Sequence, residues 1–237
     1  MEITLERENT NELSHVFQNE KIKQKIIFFR EKIISWYLEN GRTFHWRTSE
    51  ATDYDKFIAE ILLQKTRAEN VVNVYNKFLE IFPDFYTLSV AKQSYVEEII
   101  KTLGLSKIRS RTLTQSAKII TKNYSGKIPY KREELLNIPG IGIYIVNAYL
   151  ISKHETKLAV IDPNFKRVFK RFFNVPMEGD PRRNLFLLKF AEFILPDTHI
   201  KEYTFGVIDF AALVCKNRNP KCEICGLKKK CDYTNKN

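Results

Sequence analysis

Apolar residues recur along this chain at three- and four-residue steps, and no stretch alternates convincingly at two. Residues 21–39, KIKQKIIFFREKIISWYLE, set Ile22, Ile26, Phe29, Ile33 and Tyr37 on one helical face, and Asn40-Gly41 ends the helix. Residues 54–66, YDKFIAEILLQKT, predict a helix that buries Phe57, Ile58, Ile61 and Leu62. Glu60 and Gln64, four apart, share another face of it. Residues 67–82 predict a third helix with Val71, Val74, Tyr75, Phe78 and Phe82 inward, stopped by Pro83. Further helices are expected near 89–102, 110–124, 182–195 and 201–214, with Pro196 between the last two and a loop from Val175 to Pro181. Residues 1–20 are polar and mixed in charge, so a loosely ordered extension is expected there. There is no solenoid repeat and no low-complexity linker, and the fold class is all-α.

The stretch from 135 to 172 organises the rest. Two helical segments meet at Ile138-Pro139-Gly140-Ile141-Gly142. Pro139 pre-sets a turn, and Gly140 and Gly142 permit positive φ and the close approach of another group. Gly142 opens a helix whose first N–H groups have no internal partner, a terminus suited to phosphate. Asp162 follows in a second loop, with Pro163 after it at a favoured first helical position. Asp162 therefore reads as a helix N-cap, with Lys166, Arg167, Lys170 and Arg171 on the helix behind it.

At 237 residues the chain is long enough for one large or two small domains. Its net charge of +11 suits nucleic acid or an anionic surface, although a merely solvated basic surface has the same composition. The start, MEITLERENTNELS, lacks an apolar core, and no apolar run approaches membrane-spanning length, so an intracellular protein with no membrane partner is expected. All four cysteines lie in the last 23 residues as Cys215-x6-Cys222-x2-Cys225-x5-Cys231, which is not a secreted disulfide scaffold. Four thiolates so close in sequence imply a metal centre, and zinc is the generic reading.

The hairpin text Ile138–Gly142 and the loop Ile161-Asp162-Pro163-Asn164-Phe165-Lys166-Arg167-Val168 resemble the helix-hairpin-helix DNA glycosylase superfamily. That superfamily holds endonuclease III and MutY. Its pattern is a Leu-Pro-Gly-Val-Gly hairpin followed by Val-Asp-x-Asn-Val-x-Arg-Val. The cysteine spacing resembles the [4Fe–4S] loop of the same group, which puts the iron–sulfur cluster ahead of zinc. Ala59 to Thr66 resembles both the Ser-Glu-Val-Met-Leu-Gln-Gln-Thr of MutY and the Glu-Ile-Leu-Leu-Arg-Arg-Thr of Mig-type thymine mismatch glycosylases. Lys65 leans towards the basic Mig version. Leu103-Gly104-Leu105-Ser106-Lys107-Ile108-Arg109 resembles the Gly-Leu-x-x-x-Arg/Lys-Ala loop, whose Leu wedges into the base stack. Without the resemblance, Leu105 reads as a packing contact at a helix C-cap. Phe44-His45-Trp46-Arg47 resembles a Pro-Trp-Arg segment, and Trp46 serves equally well as a DNA contact or as filler of a core gap. Departures from the pattern include Ile143, where the family has a basic residue, and Pro163.

The resemblance implies a two-domain fold. A six-helix barrel domain spans about 53–155, an iron–sulfur cluster domain combines 21–52 with 156–237, and DNA lies over the cleft between them. It implies Asp162 and Glu60 as the catalytic carboxyls, one stabilising a cation-like sugar and the other managing protons. Tyr144 stands where bifunctional endonuclease III carries its lyase lysine, and a phenol forms no Schiff base. Gln64, Lys65, Leu105, Gly140, Gly142, Lys166 and Arg167 become the DNA-binding positions. The partner implied is double-stranded DNA holding a mismatched or damaged base, bound by a monomer. A monofunctional glycosylase acting on thymine or uracil opposite guanine is the expected activity. Tyr144, Lys65 and the Gly206–Cys231 text, which is close to Mig sequences, point there, and so does a chain that stops six residues after Cys231, without an added 8-oxoguanine-reading domain. The alternatives are a MutY-like adenine glycosylase and a non-catalytic helix-hairpin-helix DNA-binding protein.

Overall fold

The computed structural model describes residues 18–174, 180 and 184–235. Among these every regular element is helical, as the periodicity requires. In chain order the helices are α1 (Glu20–Asn40), α2 (Asp53–Leu62), α3 (Ala68–Ile81), α4 (Phe85–Val90), α5 (Gln93–Ile100) and α6 (Ser106–Tyr124), then α7 (Arg132–Leu136), α8 (Ile143–His154), α9 (Pro163–Phe173), α10 (Leu185–Phe193), α11 (Ile200–Leu213) and α12 (Asp232–Asn235). No helix among the described residues is long and apolar enough to cross a membrane. The chain divides into two compact units, residues 43–154 and the remainder on either side of them. Residues 43–52, expected with the second domain, group instead with 53–154. The physical reason is aromatic: Trp46 stacks on Phe44 at 4.7 Å and meets Tyr75 of α3 edge-on at 4.9 Å. Trp46 is therefore a core residue, 3% exposed. The expectation of a loose extension falls mostly on residues 1–17, which lie outside the described residues, and so does most of the loop expected at 175–181.

In the unit of residues 43–154, three boundaries differ from the pattern. The helix expected to run to 66 stops at Leu62. Gln64 and Lys65 therefore sit in a turn rather than on a helix face with Glu60, and Lys65 has φ +52°. The cause is the guanidinium of Arg109, fully buried, which takes the carbonyls of Ile61 and Gln64 that further helix would have used. The stretch 89–102 is two short helices, because Asp84 caps α4 through the Thr87 N–H at 2.7 Å and the chain is extended at Ala91 and Lys92. α6 starts at Ser106, four residues earlier than the 110 expected, directly behind Leu105 in left-handed backbone.

The other unit is built on α1. Asn19 caps it, its side chain accepting from the Lys21 N–H at 2.9 Å. Ile26, Phe29 and Ile33 form the buried face of α1. Phe29 lies 5.0 Å from Phe172, 5.2 Å from Phe173 and 5.8 Å from Phe169, all on α9. A ring buried this completely contributes about 1.5–3 kcal/mol, and truncating it to Ala costs about 3–5 kcal/mol. α11 lies close against α1 at Gly206, where a Cβ would come within 2.8 Å of Ile33 Cγ2. At the far end of α1 the buried carboxylate of Asp209 accepts from the Arg42 N–H at 2.8 Å and from its guanidinium at 2.7 Å. Arg30 closes the end of α10 by donating to the carbonyls of Phe193, Ile194 and Leu195.

Candidate active site

Asp162 is the N-cap the sequence suggests. Its Oδ1 accepts from the N–H groups of Asn164 and Phe165, both at 2.8 Å, and its Oδ2 accepts from the Asn164 side-chain amide at 2.7 Å. Pro163 occupies the first turn of α9. Burial pushes the carboxyl above the usual carboxylate range, while the Phe165 N–H, the Asn164 amides and the charge of Arg167 draw it back. Asn164 in turn accepts at Oδ1 from Arg167 Nη2 at 3.0 Å. Arg167 also donates to the Ala211 and Cys215 carbonyls, both at 3.0 Å. These donors of Arg167, which the resemblance places among the DNA-binding positions, point inward and tie the Asp162 loop to the end of α11. Lys166 is half-buried on the same helix.

The cysteine segment begins where Arg167 ends. Arg171 donates to the Lys216 carbonyl at 2.6 Å and lies 3.5 Å from Cys215 Sγ, while Cys231 Sγ lies 3.5 Å from the Arg171 carbonyl oxygen. None of the four cysteines is in a disulfide. The thiols are near enough to feel one another's charge. Burial first, then Cys231, Cys215 and Cys222, push Cys225 up to about 11. Cys222 is raised by burial and by Cys215 and Cys231. Among the described residues no three His, Cys, Asp or Glu side chains close up around a single ion.

On the other unit, Glu60 lies on α2 and is 6% exposed, not the surface carboxylate that periodicity alone allows. Burial raises it to about 7, and among the described residues the positive charge of Arg47 is what pulls it down. Arg47 lies over the Phe44 ring at 5.1 Å, at the end of the Phe44–Trp46 stack. Gln64 and exposed Lys65 form the turn after α2. Leu105, half exposed with φ +49°, forms a second turn before α6. Arg109 joins these two turns from beneath.

The hairpin joins α7 to α8. Gly140 has φ +82°, and a Cβ there would meet Thr112 Oγ1 of α6 at 2.4 Å, so glycine is required twice over. Gly142 differs from expectation: its φ is not positive, and a Cβ would meet nothing. It is instead exposed at the mouth of α8, with open space above it. Ile143, 58% exposed, and half-buried Tyr144 follow in the first turn of α8.

Sequence reasoning passed over Asn164 and Arg109 as functional residues and met Arg47 only as part of a motif. Asn164 had a usable signal, a polar residue two places after an N-cap. The burial of Arg109 had none.

Similarity to known proteins agrees with this geometry. The chain is 33% identical over 214 residues to a thymine/uracil-DNA glycosylase of Methanothermobacter thermautotrophicus, covering 90% of this chain and 96% of that one. It is 32% identical to an adenine DNA glycosylase of Buchnera aphidicola subsp. Baizongia pistaciae, covering 86% of this chain and 58% of that one. The solved structure of a thermostable thymine-DNA glycosylase superposes with a TM-score of 0.84 at 32% identity, covering 92% of this chain and all of that one. Residues 58–202, more than half the chain, match the model of one family, and the protein belongs to it: the HhH-GPD superfamily of base excision DNA repair proteins.

Proposed function

We propose that the protein is a monofunctional DNA glycosylase that hydrolyses the N-glycosidic bond of thymine or uracil opposite guanine. The observation that carries the reaction class is Asp162, a carboxylate pinned by two backbone N–H groups and an amide. A fixed negative charge stabilises the cation-like sugar as the bond breaks. Glu60, poised near neutrality, protonates the departing base; water then adds to the cation-like sugar carbon, and the proton it sheds restores the Glu60 acid. Tyr144 supplies no amine, so the reaction ends at an abasic site. The exposed Leu105 fills the gap left by the extruded base, and the Lys65 ammonium donates to the O6 and N7 acceptors of the unpaired guanine. Phosphate docks at the N-terminus of α8, where Gly142 leaves room.

Cys215, Cys222, Cys225 and Cys231 hold a [4Fe–4S] cluster in this reading. Their spacing and their mutual approach support it. The cluster fixes a loop carrying Lys216, Arg218, Lys221, Lys228, Lys229 and Lys230, a basic surface for DNA phosphates.

The test is single-turnover base release from duplexes holding G·T, G·U, A·G and A·8-oxoguanine pairs. Thymine and uracil opposite guanine leave fastest, strands stay intact until alkali is added, and borohydride traps no adduct. The Buchnera relative favours a second reading, an adenine glycosylase, and faster adenine release opposite 8-oxoguanine selects it. A strong borohydride adduct rules out the monofunctional assignment.

A further inference from the structure

Arg109 is fully buried among the residues of its unit, and its donors cross between two surface turns. Nε donates to the Ile61 carbonyl at 3.3 Å, and Nη2 donates to the Gln64 carbonyl at 2.7 Å and to Thr66 Oγ1 at 2.9 Å. Nη1 donates to the Gly104 carbonyl. Thr66 Oγ1 donates onward to the Leu103 carbonyl at 3.1 Å, closing a second bridge between the same two turns. Each turn holds one non-glycine residue in left-handed backbone, Lys65 at φ +52° and Leu105 at φ +49°. Lysine and leucine disfavour that conformation, and it persists where the surroundings fix the flanking peptides. Here the flanking peptides are the ones Arg109 holds: the carbonyl before Lys65 and the carbonyl before Leu105.

Helix capping alone does not account for this arrangement. A guanidinium that merely closes α2 needs the Ile61 and Gln64 carbonyls, not Gly104, and it needs no hydroxyl bridge to Leu103. Only a planar fork with five donors reaches all four acceptors at once, and a lysine ammonium cannot.

We infer that Arg109 is a positioning residue that locks the Lys65 turn and the Leu105 turn into one piece, setting the group that reads the opposite base in register with the wedge. This rests on the reading of those turns as DNA contacts given above. Fidelity for the opposite base then depends on a side chain that never touches DNA. With the lock lost, Leu105 still helps extrude a base, but Lys65 is no longer placed against its partner. Discrimination therefore falls further than the rate on the best substrate.

The experiment compares wild type with Arg109→Lys, Thr66→Val and a control, Tyr54→Phe. The control removes a buried hydrogen bond of the same unit, to the Phe82 carbonyl at 2.6 Å, at the opposite end of α2 from the Lys65 turn. Two ratios are measured at a temperature where each variant is folded. One is uracil release opposite guanine against opposite adenine, and the other is affinity for a tetrahydrofuran abasic analogue opposite the same two bases. Arg109→Lys should lower both ratios about ten-fold or more, and Thr66→Val about three-fold, since small misplacements cost this much. Tyr54→Phe should lower the melting temperature and leave both ratios alone. If Arg109→Lys does not fold, Thr66→Val decides. Unchanged ratios in the bridge variants, or an equal fall in Tyr54→Phe, overturn the inference. A wild type that releases no uracil overturns the glycosylase reading instead, and the analogue ratio still decides the lock.

Discussion

The two candidate carboxyls are held in opposite ways. Asp162 heads a helix and spends both oxygens on three N–H donors. Glu60 lies in the last turn of the buried α2, with burial raising it to about 7 and, among the described residues, the charge of Arg47 opposing. Both are shifted upward by desolvation. The difference lies in what each can do next. A carboxylate whose lone pairs are occupied by donors keeps its charge and its place, so Asp162 is suited to electrostatic work. A carboxyl without such donors is free to exchange its proton near pH 7, so Glu60 is suited to acid–base work.

The sharpest way to break this comparison is to neutralise Asp162 while keeping its cap. Asp162→Asn should slow single-turnover base release by about 10²–10³-fold or more, with duplex affinity and melting temperature nearly unchanged, because Asn also caps helices well. Near-normal release would assign the charge to another group.

Glu60 should show itself in stability as well as in rate. The folded protein keeps its proton up to about pH 7, while the unfolded chain releases it near 4.5. The stability this gives the neutral acid is complete below pH 4.5 and is lost as pH rises through 7. Across that window wild type should lose about 3 kcal/mol relative to Glu60→Gln in urea unfolding, and parallel curves for the two proteins would contradict the buried-acid picture.

The third effect exploits the link from Asp162 through Asn164 and Arg167 to Cys215, which has no counterpart at Glu60. Purified protein should contain about four iron atoms per chain. Stripping them should slow release about ten-fold while leaving the pH dependence in place. Colourless folded protein with one zinc would reject the cluster. The smallest effect concerns the counter-charge: Arg47→Met should move the Glu60 titration upward by about half a unit to one unit, read from the pH profile of the rate.

The sequence exposed one side of this comparison far better than the other. Asp162 is legible because N-caps are local: an Asp before a Pro at the head of an amphipathic run needs no tertiary information. The glycine at 140 is legible for the same reason, although its steric partner Thr112 is not. Glu60 is illegible on periodicity, because a helix buried nearly all round offers no polar face to read; the surrounding motif is what singled it out. The arginines are the least legible residues. Arg30, Arg109 and Arg167 each bind carbonyls at a helix end or turn, and a sequence cannot distinguish a guanidinium turned inward from one facing phosphate. Arg109 also explains the early end of α2, a long-range effect that overrides local propensity.

The division of work between the carboxyls is tested most directly by the pH profile of single-turnover thymine release opposite guanine, from about pH 5.5 to about 8.5, in wild type and Glu60→Gln. Wild type should slow as pH rises through about 7, where Glu60 loses its proton, and Glu60→Gln should be slower and flat. A flat wild-type profile, or the same fall in both proteins, would contradict the assignment of Glu60 as the proton donor.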